Sequence, residues 1–385
     1  MTWNGKVSYP LGFSLLKLSR STMQAWLACF TDGLVTGSCP AIRWCAPSLD
    51  LRFTMARLFH LTILTLLLAV AAGSLSAQQP AAGNRNDRSA TIQEQIAARQ
   101  TTSKLPKNVA AILQTIPDDT VIGLVVLDDQ GKVVYQHNSR RELPAASSIK
   151  SILLLELFAQ YAEELDRQPR DDIAAIVQNR KHPAIAHFPE TSKQEIVDQL
   201  SGVSIRQLGS ILIDSKDRSG KPYSNLVYNA AANVAIALLG GPAAATAQMQ
   251  QRHDAFQGAH LRRYMLARRN VTGDNTATPL ALATLFQTTV NKTPPDLKAQ
   301  TVKEVTDILH ARDYPNGARL YAKGGTLYSD PVTQVRSGQY SNGQMTMNYA
   351  IMASQKLRSK TSGKQQHETL KRLTLDLYTG LQNPK

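Results

Sequence analysis

The run Ile152–Phe158, ILLLELF, is apolar around most of the circumference of a helix built from it. Such a helix needs neighbours on all sides, so it demands a fold with a central helix and a sizeable core. Directly before it stands Pro144–Lys150, PAASSIK. Ser147 and Lys150 are three apart, and residues at that spacing share a helical face. Two readings follow. Ser147 is a hydroxyl that starts the helix by accepting a free backbone N–H. Alternatively it is a nucleophile with Lys150 as its base. Burial lowers a lysine's pKa and frees the neutral amine, while the helix N-terminus points N–H groups at a developing oxyanion.

The surrounding chain is organised around this helix. Residues 120–138, TVIGLVVLDDQGKVVYQHN, hold two β-rich runs separated by Asp128-Asp129-Gln130-Gly131, a hairpin signature. Residues 166–300 are mostly helical in pattern. VYNAAANVAIALLGG (227–241) is an alanine-rich helix ended by Gly240-Gly241, and TATPLALATLFQTTV (276–290) is a helix entered through Thr278-Pro279. After Pro315 the pattern returns to strands over RLYAKGGTLYSD, TQVRSGQYSNGQ and MTMNYAIMAS, and KQQHETLKRLTLDLYTGLQ closes as an amphipathic helix. Strands and helix at both ends predict one sheet completed by both termini, with an α-helical insertion as a second lobe. No internal repeat is visible.

The first part of the chain has a different composition. All three cysteines (Cys29, Cys39, Cys45) and all three tryptophans (Trp3, Trp26, Trp44) precede residue 50. Met55 then opens a signal-peptide pattern: Arg57, an apolar run from Leu61 to Ala72, and small residues up to Ala77. The run is short of the roughly 20 residues of a membrane span. We expect 1–54 to be an extension from an early start, 55–77 a signal peptide cleaved near Ala77, and 78–104 a polar linker. A genuine N-terminal extension with a membrane anchor is the alternative. The expected location is exported, periplasmic or secreted. Without 1–54 (five basic and two acidic residues) and Arg57, the net charge falls from +14 to +10. The excess is spread out, with no arginine-rich block or aromatic interleaving, so nucleic acid is not an expected partner.

With its hairpin, PAAS-x-x-K, buried helix, helical middle and lysine-glycine strand in this order, the chain resembles the class A β-lactamases and related penicillin-recognising serine hydrolases over roughly 105–383. The resemblance implies an α/β (α+β) fold: a five-stranded antiparallel sheet flanked by helices, with an inserted all-α lobe over about 150–300. The active site would lie between the two. The family signature is S-x-x-K, S-D-N and K-T-G. It makes Ser147 the nucleophile and Lys150 its base. Asn229 aligns with the asparagine of the second motif, but Val227 stands where the family has its proton-relay serine, and Tyr228 replaces the aspartate. Ser215 or Ser224, from a longer approach to this motif, are candidate substitutes. Asn229 has an alternative reading as a capping asparagine that ties two loops.

In the third motif Lys323, Gly325 and Thr326 are the implied substrate-binding residues. Gly324 lacks the hydroxyl the family has there, and the Thr326 N–H would complete an oxyanion hole with that of Ser147. Class A enzymes also carry a glutamate that activates the deacylating water; here Met265 falls at its place, and no acid occurs between Leu261 and Gly273. Slow deacylation follows as an expectation. The implied activity is opening of β-lactams or hydrolysis of related amides and esters through a serine acyl-enzyme. The alternatives are a weak or inactive penicillin-binding protein and a D-Ala-D-Ala peptidase. The eight histidines show no metal-binding spacing and no Gly-rich phosphate loop occurs. The expectation is therefore a small-molecule or cell-wall peptide substrate, no cofactor, no metal, no membrane contact beyond the signal segment, and a monomer.

Overall fold

The computed structural model describes residues 105–383 apart from 169, 217–219 and 291. The expected extension (1–54), signal segment (55–77) and linker (78–104) lie outside the described residues.

The described chain begins with α1 (Lys107–Gln114), then the expected hairpin of β1 (Thr120–Leu127) and β2 (Val133–His137). The Asp128 carboxylate closes its turn, accepting from the N–H groups of Gln130 and Lys132 at 3.0 and 2.8 Å. β3 (Leu143–Pro144) and a 3-10 turn over Ala146–Ile149 lead into α2 (Lys150–Gln160). There follow α3 (Asp171–Gln178), α4 (Glu190–Leu200), α5 (Ile205–Asp214), α6 (Asn225–Leu238), α7 (Pro242–Arg252) and α8 (Arg269–Thr272). β4 (Thr276–Ala277) pairs with β3, and α9 (Pro279–Thr289) and α10 (Ala299–Leu309) complete the helical stretch. β5 (His310–Asp313), β6 (Arg319–Ala322), β7 (Gly325–Leu327), β8 (Val332–Ser341) and β9 (Thr346–Gln355) precede the closing helix α11 (Gly363–Gln382).

The main sheet is antiparallel in the order β2-β1-β9-β8-β6-β5, with β7 also on β8. It has seven strands where five were expected, for two reasons. RLYAKGGTL is interrupted at Lys323-Gly324, so one expected strand becomes β6 and β7; both pair with β8 in one unbroken register, Ala322 opposite Gly338 and Gly325 opposite Val335. The other addition, β5, is an edge hairpin with β6 around Tyr314–Ala318. Its four residues, HARD, have none of the apolar alternation by which a strand is read from sequence.

The side chains of β1 and β9 alternate between two cores, as the period of a strand requires. Leu124, Val126, Ile351 and Ala353 meet Val109 of α1 and Leu370, Leu377 and Leu381 of α11. Val125, Leu127, Ala350 and Met352 face the helices. There α2 is buried at every position from Lys150 to Phe158, as its all-round apolar pattern demands. Gly209 lets α5 close on it: a Cβ there would lie 2.5 Å from the Phe158 ring. Among the described residues no single helix is long and apolar enough to cross a membrane.

Candidate active site

Ser147 sits in the 3-10 turn ahead of α2, and its hydroxyl makes no capping hydrogen bond. Its neighbours are committed locally: Ser148 Oγ donates to Ala145 O at 2.6 Å and Ser151 Oγ to Ser148 O at 2.7 Å. Ala146, just before it, takes φ +49°, a left-handed conformation that costs a residue with a Cβ about 1–2 kcal/mol. Ser147 lines a cleft of about 750 Å³.

Strand β7 forms one wall. A Cβ on Gly325 would lie 2.8 Å from both Ser147 N and Ala145 O, so the strand backbone rests directly on the Ser147 turn. The Lys323 N–H donates to Ser337 O at 3.0 Å, which fixes the phase of the ladder. Residues 323, 325 and 327 bond to β8, and the backbone groups of Gly324 and Thr326 turn away from it, into the cleft edge. Thr326 Oγ1 donates to Gln334 Oε1 at 3.2 Å, and the same oxygen takes His367 Nε2 at 2.6 Å.

Lys150 lies wholly buried behind the cleft. Its Nζ donates to Asn229 Oδ1 at 3.0 Å and Tyr228 O at 3.5 Å, and sits 3.2 Å from the centroid of the Tyr228 ring. Neither of these hydrogen bonds goes to Ser147. Burial above all, and then the positive charge of Lys323, hold the Lys150 pKa well below the usual lysine range.

Asn229 is not a cap. Its amide donates to Asn225 O and Oδ1 at 2.8 and 3.1 Å while its oxygen faces Lys150. The cap of α6 is Ser224, accepting from Val227 N at 3.3 Å. Ser215 ends α5 with φ +55° and donates to Asp214 O at 2.5 Å. Neither serine lines the cleft, and Val227 is fully buried in the core. The hydroxyl in this region is that of Tyr228, which accepts from Lys323 Nζ at 2.9 Å. Lys323 also donates to Ile213 O and is not part of the lining. Of the residues singled out in the sequence, Ser147, Asn229, Gly325 and Thr326 thus meet at the cleft with Lys150 behind it. In the sequence Tyr228 stands only as a departure from a motif, an aromatic beside Asn229.

The opposite wall is the segment 263–275. Met265 is held by its backbone: its N–H donates to Asn233 Oδ1 at 2.5 Å, and its carbonyl accepts from Asn233 Nδ2 at 3.1 Å and His187 Nε2 at 2.8 Å. The acid in the lining, Asp274, is paired with Arg263 at 2.8 Å and Arg269 at 3.2 Å. Arg269 crosses to Ser329 Oγ and Asp330 O at the far end of β7. Among the described residues no group of three or more His, Cys, Asp or Glu is placed to hold a metal ion.

No protein-family model and no curated protein matches the chain. Solved structures do. A β-lactamase from Burkholderia vietnamiensis is 19% identical with a TM-score of 0.50, covering 72% of this chain and 98% of its own. A second β-lactamase structure from that organism is 19% identical with a TM-score of 0.51 and covers 72% and 96%. A mutant of the last common ancestor of Gram-negative class A β-lactamases is also 19% identical, at a TM-score of 0.51, and covers 72% and 99%. At this identity the likeness is one of architecture: the chain has a β-lactamase-like fold of mixed α and β content.

Proposed function

We propose that the chain is an exported serine hydrolase of the β-lactamase fold, acting on β-lactams or related amides and esters through an acyl-enzyme on Ser147. The helices between β3 and β5 would be its all-α lobe. The observation that carries the reading is the pair of Ser147, open to the cleft, and Lys150, buried behind it with a depressed pKa and no carboxylate beside it among the described residues. A buried amine of that kind is neutral often enough to take the proton from Ser147 as its Oγ adds to a carbonyl carbon. The oxyanion would meet the N–H groups of Ser147 and Thr326, which the close approach of Gly325 brings together. Asn229 would orient the substrate. Lys323, turned toward Tyr228 and Ile213, would contribute its charge from behind the wall.

A second reading has its own observation. Hydrolysis of the acyl-enzyme needs a base for water, and the one acid that the described residues contribute to the lining is tied to two arginines. Met265 occupies the position that the resemblance gives to a glutamate. The acyl-enzyme would then persist, and the protein would act as a penicillin-binding receptor. Incubating the full chain with a fluorescent penicillin tests both. Rapid turnover supports the hydrolase, and a stable adduct that mass spectrometry maps to Ser147 supports the receptor. Release of D-alanine from a D-Ala-D-Ala peptide would favour the peptidase alternative. Labelling that persists in Ser147→Ala would overturn the nucleophile.

A further inference from the structure

We propose that Leu266 and Tyr328 form an apolar clamp that selects the substrate: the ester or amide that acylates Ser147 carries an uncharged, apolar acyl chain. The inference rests on Ser147 acylation and names the class of acyl group that this cleft takes.

Single exposed apolar side chains are ordinary, whereas a gathering of them in one place marks a binding surface. Among the described residues the exposed large hydrophobic side chains are Leu266, Tyr328, Leu357 and Leu375. Leu266, 51% exposed, and Tyr328, 56% exposed, both line the Ser147 cleft. They belong to different walls of it, Leu266 to the segment 263–275 and Tyr328 to the residue just past β7. Ala267 and Leu327 beside them extend the apolar lining.

Both side chains are held where they stand. Leu266 takes φ +65°, where its Cβ crowds the following carbonyl oxygen and where glycine or asparagine is the usual residue. Its neighbours impose this: Met265 is bonded to Asn233 through its N–H and its carbonyl, and Ala267 O accepts from Arg263 Nη1 at 2.8 Å. A leucine persists in that conformation only where the surroundings over-determine it, and such positions cluster at ligand clamps. On the other wall the Tyr328 ring meets the His367 ring edge-on at 4.9 Å. The Tyr328 carbonyl lies against Gly363, where a Cβ would collide with it. Side chains fixed in advance lose little freedom when an apolar chain settles against them. The cations that the described residues contribute to the lining, Arg263 and Arg269, are both paired with Asp274. A carboxylate on the acyl chain would give up water for arginines already answered by an acid.

The test times nitrophenol release by the full chain from nitrophenyl acetate, nitrophenyl hexanoate and the nitrophenyl monoester of adipic acid, counting only the release that Ser147→Ala abolishes. The leaving group is common to all three, and the adipate adds a carboxylate to a chain as long as hexanoate. Compared as kcat/KM, the three report acylation. A buried methylene is worth about fourfold, so hexanoate should exceed acetate by at least about 30-fold with part of the chain left in water. It should exceed adipate by at least about tenfold. Leu266→Asn suits the left-handed backbone and removes the apolar group, and Tyr328→Ser removes the ring. Each should lower the hexanoate-to-acetate ratio by about fivefold or more. Thermal unfolding should show Leu266→Asn at least as stable as the unmutated protein, which separates lost selectivity from lost fold. Equal rates for hexanoate and acetate, adipate as fast as hexanoate, or an unchanged ratio in either variant overturns the clamp and leaves acylation standing. If neither these esters nor a penicillin reacts at Ser147, the acylation reading itself fails, and the clamp with it.

Discussion

A Cβ placed on Gly325 would stand 2.8 Å from the backbone nitrogen of Ser147, closer than such atoms approach in proteins. The strand that carries Thr326 and the turn that carries Ser147 thus touch backbone to backbone. Gly325→Ala must push them apart. Overpacking of this kind costs about 1–3 kcal/mol, which denaturant unfolding will read. Acylation of Ser147 should fall at least about tenfold, because the misplaced donors are those proposed for the oxyanion. Gly324→Ala, whose nearest obstacle is Val335 O at 3.1 Å, should be milder on both counts. Normal acylation in Gly325→Ala would remove β7 from the reacting site.

Lys150 gives the protein a pH signature of definite sign. Its folded pKa lies well below the unfolded value of 10.5, so between the two the unfolded chain holds a proton that the native chain lacks. Stability therefore rises with pH through that window, by up to about 1.4 kcal/mol per unit; below the native pKa the penalty for a buried charge is present in full. Lys150→Met should abolish this part of the slope and be the more stable protein on the acid side. Acylation of Ser147 should in turn climb with pH through the native pKa of Lys150, since the neutral amine is the proposed base. Equal pH slopes for unfolding of the two proteins would reject the assignment.

The pairs of Asp274 with Arg263 and Arg269 brace the wall opposite β7. The Arg263 and Asp274 side chains are only 10% and 12% exposed. Asp274→Asn leaves Arg263 nearly buried with its charge unanswered, a change that costs about 3 kcal/mol. Unfolding experiments should show the loss. Hydrogen exchange should show faster opening of the segment 263–275 than of α2.

Much of this architecture was legible in the chain. The all-round apolar pattern of Ile152–Phe158 placed α2 at the centre, Thr278-Pro279 marked the start of α9, and Asp128–Gly131 the hairpin turn, because each signal is local. The strand count was not legible: β5 is polar and four residues long, and the break at Lys323-Gly324 leaves the register intact. At the site, spacing brought out Ser147 and Lys150, yet it could not show which way Lys323 turns. Its amine is captured by Ile213 O from α5 and by the Tyr228 hydroxyl from α6, residues 110 and 95 positions away in sequence. Motif alignment makes Ser224 a candidate relay, whereas local geometry makes it a cap. Side-chain direction at a helix start depends on where the helix begins, and a motif alignment does not carry that information.

Met265 offers the sharpest test of why an acyl-enzyme would persist. Its backbone is pinned on both sides by the buried Asn233 and by His187, so a new side chain there starts from a fixed point in the cleft wall. Met265→Glu introduces a carboxylate that no arginine of the 263–274 segment already holds in the native arrangement. If slow deacylation reflects a missing base, the lifetime of a penicillin adduct on Ser147 should shorten by about tenfold or more in this variant, the lower part of what a positioned base contributes. Met265→Gln has nearly the same shape but cannot accept the proton, and should leave the lifetime unchanged. Equal lifetimes in the glutamate and glutamine variants would place the block to hydrolysis elsewhere, in the access of water to the ester rather than in its activation.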